Sequence, residues 1–426
     1  MHKKKRWIAT ALCLTLCLSG CGSTPAEETA SSEPTVEVPK KIEAPGFEKT
    51  VQHAERIESG EHYEHGEDGY FLLADQGIKT KLKAQRSGTC WAHAASTSME
   101  SNYLMRTGEE IVVDPYEIVN IVYSDDKKEG VFVGKAGKMD IGGNTWFITG
   151  SLSNGFGEYF LTKSICCEGL SIEKVQEAIR GNGALSMGMS DGLNGRGYFD
   201  GYLTQYDSDN LNDHSVAAVG WDDHFPREYF KEMPSQDGAW IVQDSQMNVD
   251  YCYMSRDAEI IDSCIFELSK DYKDVVYYEA GCYDAIMTGD STTIANIFHK
   301  EGSLAAVGVY IPEHGESVQI AVYDEKTGEK LAEEEETFDI KGYYAMPLSE
   351  PVSVKDYRIE ACFSGPAPVE GESWDDYSLV YRASSEEGQS FVKVGKKWLD
   401  LAKKSTKKTL GIKFTPNNAC IKGLYK

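Results

Sequence analysis

Gln85-Arg86-Ser87-Gly88-Thr89-Cys90-Trp91-Ala92-His93-Ala94-Ala95-Ser96 is the stretch whose reading decides the fold. A glycine-bearing turn runs into a cysteine, and from there Trp91, Ala95, Met99 and Tyr103 recur at every fourth position, with Ala94 and Ser98 beside them. That spacing lays an apolar stripe along one helix face, as a buried helix requires. Arg106 and Gly108 supply a cationic last turn and a stop. Cys90 then sits at a helix start, where unpaired N–H groups and the positive end of the helix dipole stabilise a thiolate. The alternative is a structural cysteine, buried or disulfide-bonded, in a chain that has 11 of them.

A nucleophilic thiolate needs a base, and LNDHSVAAVGWDD offers His214 at the head of the apolar run Val216 to Trp221, a strand pattern. A second strand follows in GAWIVQDS, with Asp244 at its end. A histidine opening one strand and a carboxylate closing the next can meet across a sheet. The imidazole would take the thiol proton while Asp244 accepts the other ring N–H and fixes the tautomer.

These segments resemble the papain-like cysteine peptidases. GTCWAHAA is similar to the family's active-site helix, DHSVAAVGW to its histidine strand, and AWIVQDS to the strand carrying its orienting residue. FLLADQGIKTKLKAQ resembles the lead-in of secreted bacterial members. IGGNTW resembles the Gly-Gly stretch lining the cleft, and SIEKVQEAIRGNGALSMGM the helix and strand that follow. The resemblance covers roughly residues 70–265, with the motifs in order. It implies Cys90 as nucleophile, His214 as acid and base, Asp244 as orienting residue, and Gln85 with the Cys90 N–H as oxyanion donors. It also implies that Gly142 and Gly143 let a substrate backbone approach.

The chain departs from that pattern in several places. The turn from Gln85 to Cys90 is one residue shorter than usual, Asp244 replaces an asparagine, and Gln246 stands where a sheltering tryptophan is usual. His93 replaces a phenylalanine and is expected on the helix surface or partly buried. Two competing readings follow: a degenerate peptidase serving as a surface binding protein, and a cell-wall peptide amidase or acyltransferase sharing the Cys-His pair.

The N-terminus has a basic start, Lys3 to Arg6, and an apolar run too short to span a bilayer, which reads as a secretion signal over residues 1–20. Leu18-Ser19-Gly20-Cys21 resembles a bacterial lipobox, so Cys21 is the expected lipid attachment site and the expected location the outer face of the membrane. Residues 21–66, rich in Pro, Ser, Thr and Glu, read as a disordered tether. The formal charge of −25 argues against nucleic acid as a partner. His62 and His65 match no metal-ligand spacing, Asp222-Asp223 reads as a solvated loop with calcium binding as the alternative, and no metal or cofactor is expected.

Beyond residue 268 the texture changes to short alternating runs: STTIANIFHK, SLAAVGVYIP, SVQIAVYDEKTGEKL, GYYAMPLSEPVSV, YRIEACFSG, YSLVYRAS, SFVKVGKKWLDL and TLGIKFTP. Such runs read as strands of a β-sandwich or jelly roll. Ala295 to Phe298 and LAAVGVYI resemble the lectin-like sandwich that follows the peptidase domain in some secreted clostridial-type proteins. The expected architecture is α+β: a papain-like domain over 67–268, a helical half plus an antiparallel β half, then an all-β domain over 269–426. The expected partners are a protein or peptide substrate, a glycan or cell-wall ligand for the second domain, and the membrane through the anchor.

Overall fold

The computed structural model describes residues 63–123, 129–133, 137–190, 195–208, 212–281, 283–376 and 378–426. The leader, Cys21 and the expected tether as far as residue 62 lie outside the described residues. The tether's expected end is corrected: Tyr63 donates its hydroxyl to Asp222 Oδ2 at 2.7 Å and sits edge-on to Tyr202, Phe225 and Tyr229. Aromatic packing thus begins before residue 67. Among the described residues no helix is long and apolar enough to cross a membrane.

The molecule is mostly β with few helices. The first half contains α1 (Cys90–Thr107), α2 (Pro115–Val122), α3 (Thr145–Leu152) and α4 (Ile172–Asn182). Helix α1 departs from the single apolar stripe expected of it, because every residue from Cys90 to Tyr103 is buried. Its small polar residues are used as joints: Ser98 Oγ accepts the Phe266 N–H at 3.1 Å, and Ser101 Oγ accepts that of Ala184 at 2.8 Å. Gly108 takes the left-handed conformation that ends the helix, φ 74°.

Three of these helices begin with a side-chain cap. Asp114, Asn144 and Ser171 each accept a first-turn N–H of α2, α3 and α4. Helix α1 has none, because the Thr89 hydroxyl donates backward to Arg86 O at 3.1 Å.

Strand His214–Asp222 is buried along its whole length. On one edge it pairs antiparallel with Leu185–Met189 and then Tyr70–Leu72, and on the other with Ala239–Asp244. Coverage on both faces explains its unbroken apolar run. The antiparallel register with Ala239–Asp244 brings the start of the histidine strand level with the end of the aspartate strand.

In the second half the dominant pair is Thr292–Ile311 against Gly342–Phe363, running from Thr292↔Phe363 to Ile311↔Gly342. Each had been expected as two strands. The polar dips are absorbed as register shifts at His299/Gly302 and Leu304/Ala306 instead of forming turns. The hairpin through Glu325 to Gly328 joins Glu316–Asp324 to Lys330–Phe338, with Asp324 Oδ1 accepting the amides of Lys326 and Thr327. Two other expectations are corrected. TLGIKFTP is not a strand: it begins in α5 (Lys404–Leu410), which stops at Gly411. Leu379–Arg382 leaves the sandwich and pairs with Gly130–Val133 of the first half.

The seam between the halves is continuous. Gly342–Tyr344 pairs with Lys163–Ile165, and the core around α1 includes Tyr310, Tyr343, Tyr381 and Cys420 from the second half. Lys422 and Glu279 form an ion pair buried in this seam.

Candidate active site

Cys90 is the first residue of α1 and is buried. His214 and Asp244 come to it from adjacent strands. His214 Nε2 lies 3.1 Å from Asp244 Oδ1, and neither side chain has any solvent exposure. The other ring nitrogen, Nδ1, is buried on the side of the Cys90 sulfur. Burial by itself disfavours the imidazolium, but the hydrogen bonds and charges of Asp244 and Cys90 outweigh it and hold the His214 pKa well above its ordinary value. For Asp244, burial likewise opposes the charge, yet the bond to His214 and the amides of Met247 and Gln246 take its pKa below the usual carboxylate value. Those amides donate to Asp244 Oδ1 at 3.1 and 2.8 Å. The turn after Asp244 thus wraps the carboxylate with its own backbone, so the pair is dry without the tryptophan that Gln246 replaces.

The short turn ahead of Cys90 has a visible consequence. Ser87 is forced into the left-handed region, φ 61°, a conformation non-glycine residues seldom adopt. Its carbonyl accepts the Gln85 side-chain amide at 2.9 Å. Gln85 is nevertheless tied to the site: its N–H donates to Ser245 O at 3.0 Å, and its Oε1 accepts the Ser245 hydroxyl at 2.7 Å. Gln85 therefore lies beside the His-Asp pair with one amide hydrogen engaged locally. The Ala92 and His93 N–H groups donate to Thr89 O at 3.1 and 3.2 Å, so the N–H groups that can meet an anion at this helix start are those of Cys90 and Trp91.

Gly142 and Gly143 lie against the same helix. Gly142 has φ 76°, and a Cβ on Gly143 would collide with the Trp91 indole, which adjoins Cys90. The absence of a side chain at 143 is thus required by Trp91. Both glycines remain partly exposed, forming an open edge next to the cysteine.

His93, expected on the surface or partly buried, is buried, with Nδ1 2.9 Å from Thr89 O and its ring edge-on to Tyr116. Burial lowers its pKa, so it is a neutral anchor for the turn. Among the described cysteines, Cys166 and Cys264 form a disulfide and Cys90, Cys167, Cys362 and Cys420 are free. Burial pushes the Cys167 thiol up to about 12. Three residues at this site were not singled out in the sequence: Ser245, Tyr123 and Asp262. Ser245 stood inside a quoted motif, whereas the other two carry no local signal.

A family model described as a lectin-like domain matches residues 276–424. A search of curated proteins finds no match. Among solved structures, the clostridial cysteine protease Cwp84 after propeptide cleavage is similar with TM-score 0.67 and 17% identity, covering 83% of this chain and 98% of that one. The cysteine protease and lectin-like domains of Cwp84, a surface layer associated protein of Clostridium difficile, match with TM-score 0.65 and 16% identity, over 88% and 96% of the two chains. At such identity the likeness speaks for the fold: a cysteine-protease unit joined to a lectin-like one.

Proposed function

We propose that this chain is a cysteine endopeptidase held at the outer face of a bacterial membrane through Cys21, with the lectin-like half binding a glycan or other cell-wall ligand. The observation that carries the peptidase reading is the His214 ring, anchored at Nε2 by a buried Asp244 and, on its other side, close enough to Cys90 for the sulfur to raise its pKa. The raised His214 pKa favours an imidazolium beside the Cys90 sulfur.

The Cys90 thiolate attacks the peptide carbonyl, and the oxyanion is met by the Cys90 N–H at the head of α1. His214 gives its proton to the departing amine, leaving a thioester on Cys90. Neutral His214 then takes a proton from water, whose oxygen attacks the thioester. Collapse of that second intermediate releases the acid and returns the thiolate and imidazolium.

One observation favours the degenerate, binding-only reading: the Gln85 amide is turned onto Ser87 O. Casein incubated with the chain under reducing conditions separates the two. Cleavage that disappears in Cys90→Ala, by roughly 10⁴-fold or more, supports the peptidase. Equal, negligible turnover by both proteins sinks it. A purified wall peptide in parallel distinguishes an endopeptidase from an amidase.

A further inference from the structure

We infer that Tyr123 and Asp262 are positioning residues that hold the Gly142–Thr145 edge against the Cys90 helix from its two ends, and that both tie this edge to the lectin-like half. The inference rests on the peptidase reading, in which that edge faces substrate.

Tyr123 closes α2 and is fully buried. Its hydroxyl donates to Gly142 O at 2.6 Å, and its ring stands edge-on to Trp91, with centroids 5.7 Å apart. The same residue therefore touches the edge and the helix that presents Cys90. Gly143 rests directly on the Trp91 indole, so the height of the edge above α1 is set by contact. At the far end, the Thr145 N–H and hydroxyl both donate to Asp262 Oδ1, at 2.9 and 2.6 Å. Asp262 takes a left-handed backbone, φ 43°, to present that carboxylate. Between the two anchors Gly142, Gly143 and Asn144 stay partly exposed.

Each anchor continues into the second half. Tyr123 bridges Val131, whose strand pairs with Leu379–Arg382 through Val131↔Tyr381. The Asp262 N–H donates to Glu168 at 2.7 Å, and Glu168 pairs with Lys341 at 3.0 Å. The lectin-like half thus supports the edge along two separate routes.

Tyr123→Phe and Asp262→Ala each delete one anchor with little loss of volume at Tyr123, while Asp262→Asn keeps an acceptor at Oδ1 and tolerates the left-handed backbone. The readouts are kcat and KM on a peptide substrate, beside the rate at which iodoacetamide, too small to need the edge, labels Cys90. The expected result is a KM raised roughly 5- to 30-fold in Tyr123→Phe and Asp262→Ala, matching one to two kcal/mol of lost binding. Labelling should stay within about twofold, and Asp262→Asn should restore KM. Unchanged KM overturns the inference, as does a fall in labelling parallel to the fall in cleavage, which would place the effect at Cys90 itself. Should Asp262→Ala not fold, Tyr123→Phe carries the test alone. A wild-type chain with no Cys90-dependent cleavage removes the peptidase reading and this assignment with it, a result distinct from indifferent variants.

Discussion

At the seam between the halves, buried charged groups are held by partners from both sides; at the head of α1, a buried carboxylate oxygen is left open. Glu370 in the seam accepts the Ala280 N–H, the Tyr381 hydroxyl and the Asn418 amide. Lys422 meets Glu279, donates to Asn154 at 2.6 Å and lies over the rings of Tyr277 and Tyr310. By contrast, Asp244 Oδ2 is buried without a partner, His214 turns its free side to the Cys90 sulfur, and α1 starts without a side-chain cap. A buried polar atom without a partner costs about 1–3 kcal/mol, a cost borne at Asp244 Oδ2 and, in the seam, at the Tyr343 hydroxyl. The seam binds the two halves to each other, and the α1 site gathers Cys90, His214 and Asp244.

Breaking the seam should give the largest change in stability. Lys422→Met leaves Glu279 buried without its cation, and loss of one partner from a buried pair costs about 3–5 kcal/mol. Chemical denaturation of the variant should show that loss, with Cys90 labelling unchanged wherever the chain remains folded. A stability change under about 1 kcal/mol would mean the seam is not the tight joint described.

At the open site the expected effect is on rate. Asp244→Ala strips His214 of its anchor and of the charge that favours the imidazolium. Peptide cleavage should fall about 10²-fold or more. Cleavage within a few-fold of the parent would show that Asp244 does not orient the ring.

The smallest effect sharpens the contrast between helix starts. Asp114→Ala removes the cap of α2 and should cost about 1 kcal/mol in thermal unfolding. Thr89→Ala, whose hydroxyl caps nothing, should cost less. Equal losses would erase the distinction between α1 and the capped helices.

Much of this was legible in the sequence because it is local. The helix from Cys90, the strand from His214 and the strand ending at Asp244 follow from short-range periodicity, and their order follows from a family pattern. What was not legible depends on contacts between distant segments. Leu379–Arg382 has an ordinary strand pattern, and nothing in it says that its partner is Gly130–Val133 and not a sandwich neighbour. The dips near Lys300 and Pro351 look like turns, yet a long strand pair accommodates them as bulges. Asp262 is a lone aspartate whose importance comes from Thr145, far away in the chain. The sheltering of His214 and Asp244 was expected to suffer without a tryptophan, and backbone from the following turn does that work.

The central claim is that His214 rests as an imidazolium paired with the Asp244 carboxylate, beside the Cys90 thiol it activates, and pH tests it most directly. The His214 pKa is raised, so the protonated ring and its contribution to the pair are present below about 6.5 and are lost only as pH rises through the higher folded value. The Asp244 pKa is lowered, so its charge persists above the unfolded value of about 3.9 and is lost as pH falls through the folded one. Between these limits the pair should exist. The measurement is the rate of Cys90 labelling by a thiol-reactive epoxide across pH, in the protein and its Cys90→Ala form, with the site of labelling read by mass. The account predicts one label, at Cys90, forming rapidly well below pH ~8.5. Labelling that appears only near that pH, as for an ordinary thiol, would contradict it.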